Sequence, residues 1–146
     1  MALRIDLGLR TYDIEDADGN FVGTIRFNPA DIGFVARWNA FQEYATRLAD
    51  DPPRTPQNMA AADEELKRLM DKVFAAPCAD VLLQGQSCFA MCTDGRYILT
   101  NVLEALVPIM KSAIAQAQRA SAERMAKHTA AYEGSTAGMA PGQAAT

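Results

Sequence analysis

The segment GTIRFNPADIGFVARWNAFQEYA, residues 23–45, joins a strand pattern directly to a helix pattern. Apolar and polar residues alternate up to Phe27, as in a half-buried strand. Asn28 is a favoured helix N-cap and Pro29 suits the first helical position, so we predict a helix over residues 29–49. Its apolar residues recur at helical spacing and give one buried stripe. This stripe comprises Phe34, Trp38, Phe41, Ala45 and Leu48.

Residues 3–27, upstream of this junction, are typical of a β-hairpin. Asp18-Gly19 lies at its centre, and this dipeptide favours a two-residue hairpin turn. With that turn, Asp16 faces Phe21 across the ladder. Because side chains alternate along a strand, each face of the hairpin has a uniform character. The predicted core face carries Tyr12, Ile14, Ile25 and Phe27, and the predicted solvent face carries Thr11, Asp13, Glu15, Thr24 and Arg26.

The proline-rich segment DDPPRTPQ, residues 50–57, ends the first helix. A second helix is predicted over residues 57–75, with an apolar stripe along one side. Two short helical turns are expected after it, at residues 79–83 and 87–92. The stripe of the second helix comprises Met59, Ala62, Leu66, Leu69, Met70 and Val73.

The last pattern predicts a long helix over residues 98–131. Pro108 lies inside this helix and should kink the turn before it. Beyond Ala115 the apolar stripe thins to alanine, so we expect the distal half to project from the core. The predicted buried face comprises Leu99, Leu103, Leu106, Met110, Ala113 and Ala117.

The order of these patterns predicts an α+β fold that is mostly α. We expect an N-terminal β-hairpin packed on a small helical bundle with a long C-terminal helix. A single domain is predicted over residues 1–132, because neither flank of the proline-rich segment is long enough to make its own core. Residues 133–146 are small and polar without periodicity, so we expect a disordered tail.

The composition bounds the classes of partner. The chain carries 14 Lys plus Arg against 18 Asp plus Glu, which argues against a nucleic-acid binder but leaves a local basic patch open. No window reaches about 18 uninterrupted apolar residues, so no membrane span is expected. The opening MALRIDLGLR lacks a basic region followed by an apolar one, which predicts no signal peptide and a cytoplasmic location.

The cysteines are the first candidates for chemistry. Cys78, Cys88 and Cys92 are accompanied by a single histidine, His128, whereas a zinc site wants four ligands. An odd number of cysteines without an export signal also argues against a disulfide framework. We therefore predict buried structural cysteines and expect neither a metal nor a cofactor. A cysteine–histidine nucleophile pair remains open as an enzymatic alternative.

Two acidic segments are weaker candidates. DADGN, residues 16–20, resembles the start of a calcium loop, but Phe21 stands where such a loop needs glycine and Phe27 where it needs glutamate. The hairpin turn explains this segment instead. DEELKRLMDK, residues 63–72, is interpreted as a solvated helix face with ion pairs one turn apart. No glycine-rich phosphate loop and no G-x-S-x-G elbow is present.

Two sequence motifs and the order of the predicted elements resemble those of a known family. The chain resembles the tail assembly chaperones of long-tailed bacteriophages, in particular small proteins of phages that infect Gram-positive hosts. The similarity spans about residues 8–115. The first motif has the form F-x-P-x-D-hydrophobic followed by R-aromatic, and its matching residues are Phe27, Pro29, Asp31, Arg37 and Trp38. The second motif has the form D-x-hydrophobic-x-x-G-x-x-S/C, followed by F/Y and then N/F-x-hydrophobic-x-E. Its matching residues are Asp80, Gly85, Ser87, Cys88, Asn101 and Glu104.

The resemblance implies a non-enzymatic role. Such proteins bind the long tape-measure protein, keep it soluble and help tail-tube subunits assemble around it. They act in the host cytoplasm and are absent from the mature virion. Their genes often carry a frameshift near the end that adds a C-terminal extension, and the residues from Glu133 would suit such a junction.

A chaperone for a long helical chain needs an apolar groove or helix face. Methionine is flexible enough to adapt to varied partners, although gap filling in the core is the alternative for each one. The expected partner-binding residues are Tyr44, Met70, Met91, Met110 and Met125.

Two other classes stay open for this chain. One is a structural tail or head–tail component retained in the virion, which would need a self-complementary surface. The other is an enzyme, which would need a thiol beside an acid or His128 in an apolar pocket. The sequence leaves the oligomeric state open.

Overall fold

The computed structural model describes residues 1–136, with side chains through residue 131. It confirms the predicted α+β, mostly α class, with an N-terminal two-stranded hairpin and a long C-terminal helix. Buried side chains of β2 and all four helices belong to one apolar cluster. In chain order, the elements are β1 (Arg10–Glu15), β2 (Phe21–Phe27), α1 (Ile32–Asp50), α2 (Pro56–Val73), α3 (Ala79–Leu83) and α4 (Ile98–Thr136).

The hairpin has the predicted faces. β1 and β2 pair antiparallel, with Tyr12 opposite Ile25. All the residues predicted for the solvent face are exposed, and the core face packs on the central cluster. The hairpin is shorter than predicted, because β1 begins at Arg10 instead of residue 3. Residues 1–9, called the arm below, have no regular secondary structure.

The hairpin turn differs from the prediction. The Gly19 N–H donates to the Asp16 carbonyl at 3.0 Å, and the Asp16 N–H donates to the Asn20 carbonyl at 2.9 Å. Asp16 therefore lies opposite Asn20 and not Phe21. The Asp16 carboxylate accepts the N–H groups of Asp18 and Asn20, at 3.0 and 2.9 Å, which favours a wider turn closed by Gly19 at φ 84°. A shift in register between β1 and β2 then restores the pairing predicted further along.

The helix α1 begins at Ile32, three residues later than predicted. Asp31 caps the helix, since its carboxylate accepts the Gly33 N–H at 2.9 Å. Asn28 instead accepts the Ala30 N–H at 2.9 Å and forms a separate turn between strand and helix, with Pro29 buried inside it. The predicted stripe is confirmed: Phe34, Trp38, Phe41 and Ala45 are buried, and Leu48 is partly buried.

Two aspartates of α2 do more than face solvent, which corrects the interpretation of residues 63–72. Asp63 accepts the Cys88 N–H at 2.8 Å and forms an ion pair with Lys67 at 2.9 Å. Asp71 accepts the N–H groups of Cys78 and Ala79 at 3.0 and 2.9 Å. The helix therefore holds both ends of the segment that contains α3 by hydrogen bonds to its backbone.

The segment between α3 and α4 contains no second helical turn, contrary to the prediction for residues 87–92. It folds back as a tight loop with an antiparallel bridge between Met91 and Tyr97. The first N–H groups of α4 find acceptors in this loop: Ile98 donates to Ala90 and Leu99 to Cys88, both at 2.9 Å. These bonds compete with a helix here, since they use the same carbonyl groups.

The long helix α4 passes through Pro108 and reaches Thr136, five residues beyond the predicted end at residue 131. Its predicted buried face is confirmed, and residues 118–131 are all exposed, so the distal half does project from the core. Residues 133–136, expected in the tail, belong to this helix. The rest of the expected tail, residues 137–146, lies outside the described residues.

Candidate partner-binding surface

Two of the five expected partner-binding residues are not at the surface. Met70 is 1% exposed and Met110 is 0% exposed. Both lie on the apolar stripes of their helices and fill the core. Neither side chain is accessible to a partner in this structure, and both occupy the gap-filling position in the core that is the alternative for a methionine.

The other three lie at the surface but not together. Met91 is 68% exposed on the bridged loop, and Met125 is 71% exposed on the distal half of α4. Tyr44 is half-buried on α1, with the Arg47 guanidinium 5.7 Å from the centre of its ring. Only Met125 among the five lines the groove described next.

A groove runs between α1 and α4, and we call it the α1–α4 groove. It consists of three hollows of about 400, 280 and 390 Å³. Gln118 lines the first two hollows and Val107 lines the last two, so the three adjoin one another in a row. The lining residues on α1 and the turn before it are Pro29, Ala30, Ile32, Val35, Trp38, Asn39, Gln42, Thr46, Ala49 and Asp50.

The α1–α4 groove has an apolar character. Its first hollow has the most accessible large apolar side chains, since Ile32 is 87% and Met125 71% exposed at its two sides. Val35 and Ile114 supply partly buried apolar surface along it. Amide side chains, such as Gln118, and few charges complete the lining. Because α1 rises about 1.5 Å per residue, residues 32–49 make the groove about 27 Å long.

Sequence reasoning missed this groove. The signal was a second line of apolar residues on α1 beside the buried stripe, at Ile32 and Val35, and a matching line on α4 at Val107 and Ile114. Taken alone, each of these two rows of apolar residues is typical of the edge of a buried helical stripe. Only the packing of α1 against α4 shows that the two lines face the same depression.

Two of the three cysteines, Cys78 and Cys88, are buried in surroundings that disfavour a thiolate. Burial raises the pKa of Cys78 to about 12, and the nearby Asp71 carboxylate adds to this shift. Burial likewise raises the pKa of Cys88 to about 12, with Asp63 adding to it. Both thiols are therefore protonated at neutral pH, whereas a nucleophile or metal ligand must be a thiolate. Among residues 1–136, no group of three or more His, Cys, Asp or Glu side chains could hold a metal ion.

The residues that carry the family resemblance have architectural roles in this structure. Phe27 stacks on Phe34, with ring centres 5.0 Å apart. Asp31 caps α1 and lies 3.7 Å from the Arg37 guanidinium. Glu104 accepts a hydrogen bond from Arg96 at 2.9 Å, which ties α4 to the loop before it. These four matched residues thus lie at junctions between elements of the fold.

Comparisons of the chain with protein-family models, with curated proteins and with solved structures each found no match. The resemblance to tail assembly chaperones therefore stays a prediction from the sequence.

One finding bears on the expected absence of a membrane span. Residues 98–131 of α4 contain a window long and apolar enough to cross a bilayer, of which 33% is buried inside the molecule. The expectation rested on uninterrupted apolar runs, which this helix lacks. A core helix of a water-soluble protein passes the same test of length and composition.

Proposed function

We propose that this chain is a non-catalytic assembly chaperone for a phage tail, which holds helical segments of the tape-measure protein in the α1–α4 groove. The observation that carries the proposal is the accessible apolar surface of this groove, above all Ile32 and Met125. Contiguous exposed apolar surface marks sites that bind another protein, and the proposal gives that role to this groove. The tail-tube protein is a second partner in the proposal, through the assembly step that the resemblance implies.

The shape of the groove favours a helix as its occupant. An amphipathic helix presents apolar side chains at intervals of three and four residues, and these can enter successive hollows. About 18 residues of such a helix would cover the length of α1, since both rise about 1.5 Å per residue. A tape-measure protein is a long helical chain with apolar stripes, which supplies many such segments.

The chemistry of the lining favours broad recognition over tight specificity. Asn39, Gln42 and Gln118 can donate or accept hydrogen bonds, so they tolerate different polar groups at the edge of a bound helix. Met125 is flexible and adapts to side chains of different shape. A chaperone that must hold many segments of one long chain needs this tolerance.

The proposal is tested by co-expression with the tape-measure gene expected downstream. The soluble fraction of the tape-measure protein is compared with and without this chain, and co-purification is measured from the soluble fraction. We expect solubility to rise and the two proteins to co-purify. An Ile32→Asp/Met125→Asp variant should lose both effects, because charged side chains would have to be buried under the bound helix.

Phe21→Asp is the matched control, since Phe21 is 64% exposed but lies outside the groove. It should retain full chaperone activity. Equal loss in both variants would refute the groove as the binding surface. If solubility does not change and the chain appears in purified virions, the structural-component alternative replaces the chaperone proposal.

A further inference from the structure

The arm exposes an alternating row of apolar side chains. Leu3, Ile5 and Leu7 are 87%, 71% and 61% exposed, and Arg4 and Asp6 lie between them. Alternation with a period of two is the pattern of a strand with one buried face. The arm has no strand partner in this structure, so its apolar face is uncovered.

The outer edge of β1 is open as well. The sheet has only two strands, and the cross-strand partner of β1 is β2. In an antiparallel ladder about half of the backbone groups of an edge strand point away from its partner. Within residues 1–136, β2 is the only segment whose hydrogen bonds reach the backbone of Thr11 to Glu15. Such an edge can accept an added strand.

The arm is held away from its own β1. The Asn28 side-chain amide donates to the Leu7 carbonyl at 3.2 Å, which fixes the arm beside the residue that follows β2. Gly8 makes this path possible, because it has φ 67° and a Cβ there would lie 2.8 Å from the Asn28 Nδ2 atom. To fold back onto its own β1, the arm would have to give up this contact.

We propose that residues 3–7 of the arm add as an antiparallel strand to the outer edge of β1 in a second copy of this chain, and that the exchange is reciprocal. Only registers that place Ile5 opposite an apolar residue cover the apolar face of the arm. Placing Ile5 opposite Tyr12 of the second copy also brings Leu3 opposite Ile14.

Charge selects this register from its neighbours. With Ile5 opposite Tyr12 of the second copy, Arg4 lies opposite Asp13, and oppositely charged cross-strand pairs are favourable. A slip of two residues that puts Ile5 opposite Ile14 would set Asp6 against Asp13, which is unfavourable. Tyr12 and Ile14 are only partly buried in one copy, so the incoming Leu3 and Ile5 would cover them.

Reciprocal exchange makes a closed dimer. Each copy gives one arm and accepts one arm, so the same surface is used twice around a two-fold axis. Each β1 is then flanked by its own β2 and by the arm of the other copy, so each half of the joined sheet has the order β2–β1–arm. The α1–α4 groove takes no part in this contact, so the dimer is independent of the proposed chaperone function.

The mass of the full chain in solution tests the dimer directly. Light scattering coupled to size-exclusion chromatography should give twice the chain mass of 15.8 kDa. Ile5→Asp should raise the dimer dissociation constant at least about tenfold, because a charge would enter the apolar face. Phe21→Asp, at 64% exposure, is the matched control and should remain dimeric. A monomeric wild-type chain at concentrations of about 100 µM would overturn the proposal.

Charge reversal tests the register. Arg4→Glu should weaken the dimer, since it faces Asp13 of the second copy, and Arg4→Glu/Asp13→Arg should restore it. Far-UV circular dichroism checks that each variant keeps its fold. Failure of the double variant to recover any affinity, with the fold intact, would refute this register.

A cysteine pair distinguishes exchange from closure within one chain. In a Cys92→Ser background, Arg4→Cys/Asp13→Cys places two thiols opposite each other, while Cys78 and Cys88 stay buried. We expect oxidation to give a disulfide-linked dimer on a non-reducing gel. A disulfide within the monomer would show that the arm closes on its own β1, and absence of any disulfide would exclude both pairings.

Discussion

Replacing Asp63 with alanine should destabilise the fold far more than the position of this residue on a helix surface suggests. The Asp63 carboxylate accepts the N–H of Cys88, a residue that is 0% exposed, at 2.8 Å. In the variant this N–H loses its acceptor at the edge of the core. The link between α2 and the loop before α4 is lost with it.

The size of the effect follows from three contributions. A hydrogen bond to a charged group contributes about 1.5–3 kcal/mol. The ion pair with Lys67 is partly exposed and adds no more than about 0.5 kcal/mol. Alanine is the better helix former and returns roughly 0.5 kcal/mol. The free energy of unfolding should therefore fall by about 2 kcal/mol, or about 1 M in the urea midpoint.

Urea unfolding followed by the fluorescence of Trp38 measures this change, since Trp38 is the only tryptophan and is 2% exposed. Glu64→Ala is the control, because it removes the same charge from the neighbouring exposed position of α2. It should change the free energy of unfolding by less than about 0.5 kcal/mol. Equal effects of the two substitutions would refute the anchoring role of Asp63.

The difference in the free energy of unfolding between wild type and Asp63→Ala should also depend on pH. Burial opposes ionisation of Asp63, but hydrogen bonds from Cys88 and Lys67 outweigh it and hold the pKa of Asp63 below its ordinary value of 3.8. A group whose pKa is lowered by folding stabilises the folded state above its unfolded pKa. The difference between wild type and Asp63→Ala should therefore be full at neutral pH and shrink as the pH falls below about 4. A difference that grows on acidification would contradict this assignment.

Three further expectations concern the core and its borders. Met110→Ala should lower the free energy of unfolding by about 2–5 kcal/mol, whereas Met91→Ala should change it by less than about 0.5 kcal/mol, both measured by urea unfolding. Gly23→Ala should cost about 1–3 kcal/mol, because the new Cβ would lie 2.7 Å from a Val81 methyl carbon and φ at Gly23 is 157°, which L residues rarely adopt; adding Val81→Ala removes the contact but not the backbone strain, so it should recover only part of the loss. Thiol labelling of the native chain should modify Cys92 rapidly and the two buried cysteines only on unfolding; three equally fast thiols would contradict the burial described above.

The sequence predicted most of the architecture because local signals and burial agreed there. The stripe at Phe34, Trp38 and Phe41 needs only helical periodicity, and the pairing of Tyr12 with Ile25 needs only alternation. Errors arose where two local signals compete. Asn28-Pro29 and Asp31 both favour a helix start, and the choice of Asp31 depends on a turn that the tertiary packing of Pro29 stabilises.

The surface was harder to predict than the core. Periodicity places Met70 and Met125 on their helices but does not show which of the two the rest of the chain covers. Asp63 and Asp71 look like ordinary solvated acids, because their acceptor roles depend on N–H groups brought from distant positions in the chain. Predicting the α1–α4 groove would have required the relative positions of both helices. Features that depend on contacts between distant segments are therefore the ones that sequence patterns leave out.

The exposed half of α4 has a consequence for how that helix unravels. An isolated helix must first form a costly nucleus, but the docked half of α4, through Ala117, supplies a permanent one. The following residues, 118–131, are all exposed, so their helical turns are added or lost from the C-terminal side with little packing to hold them. Their amide protons should exchange with solvent in a graded order, slowest beside Ala117 and faster with each turn away from the core.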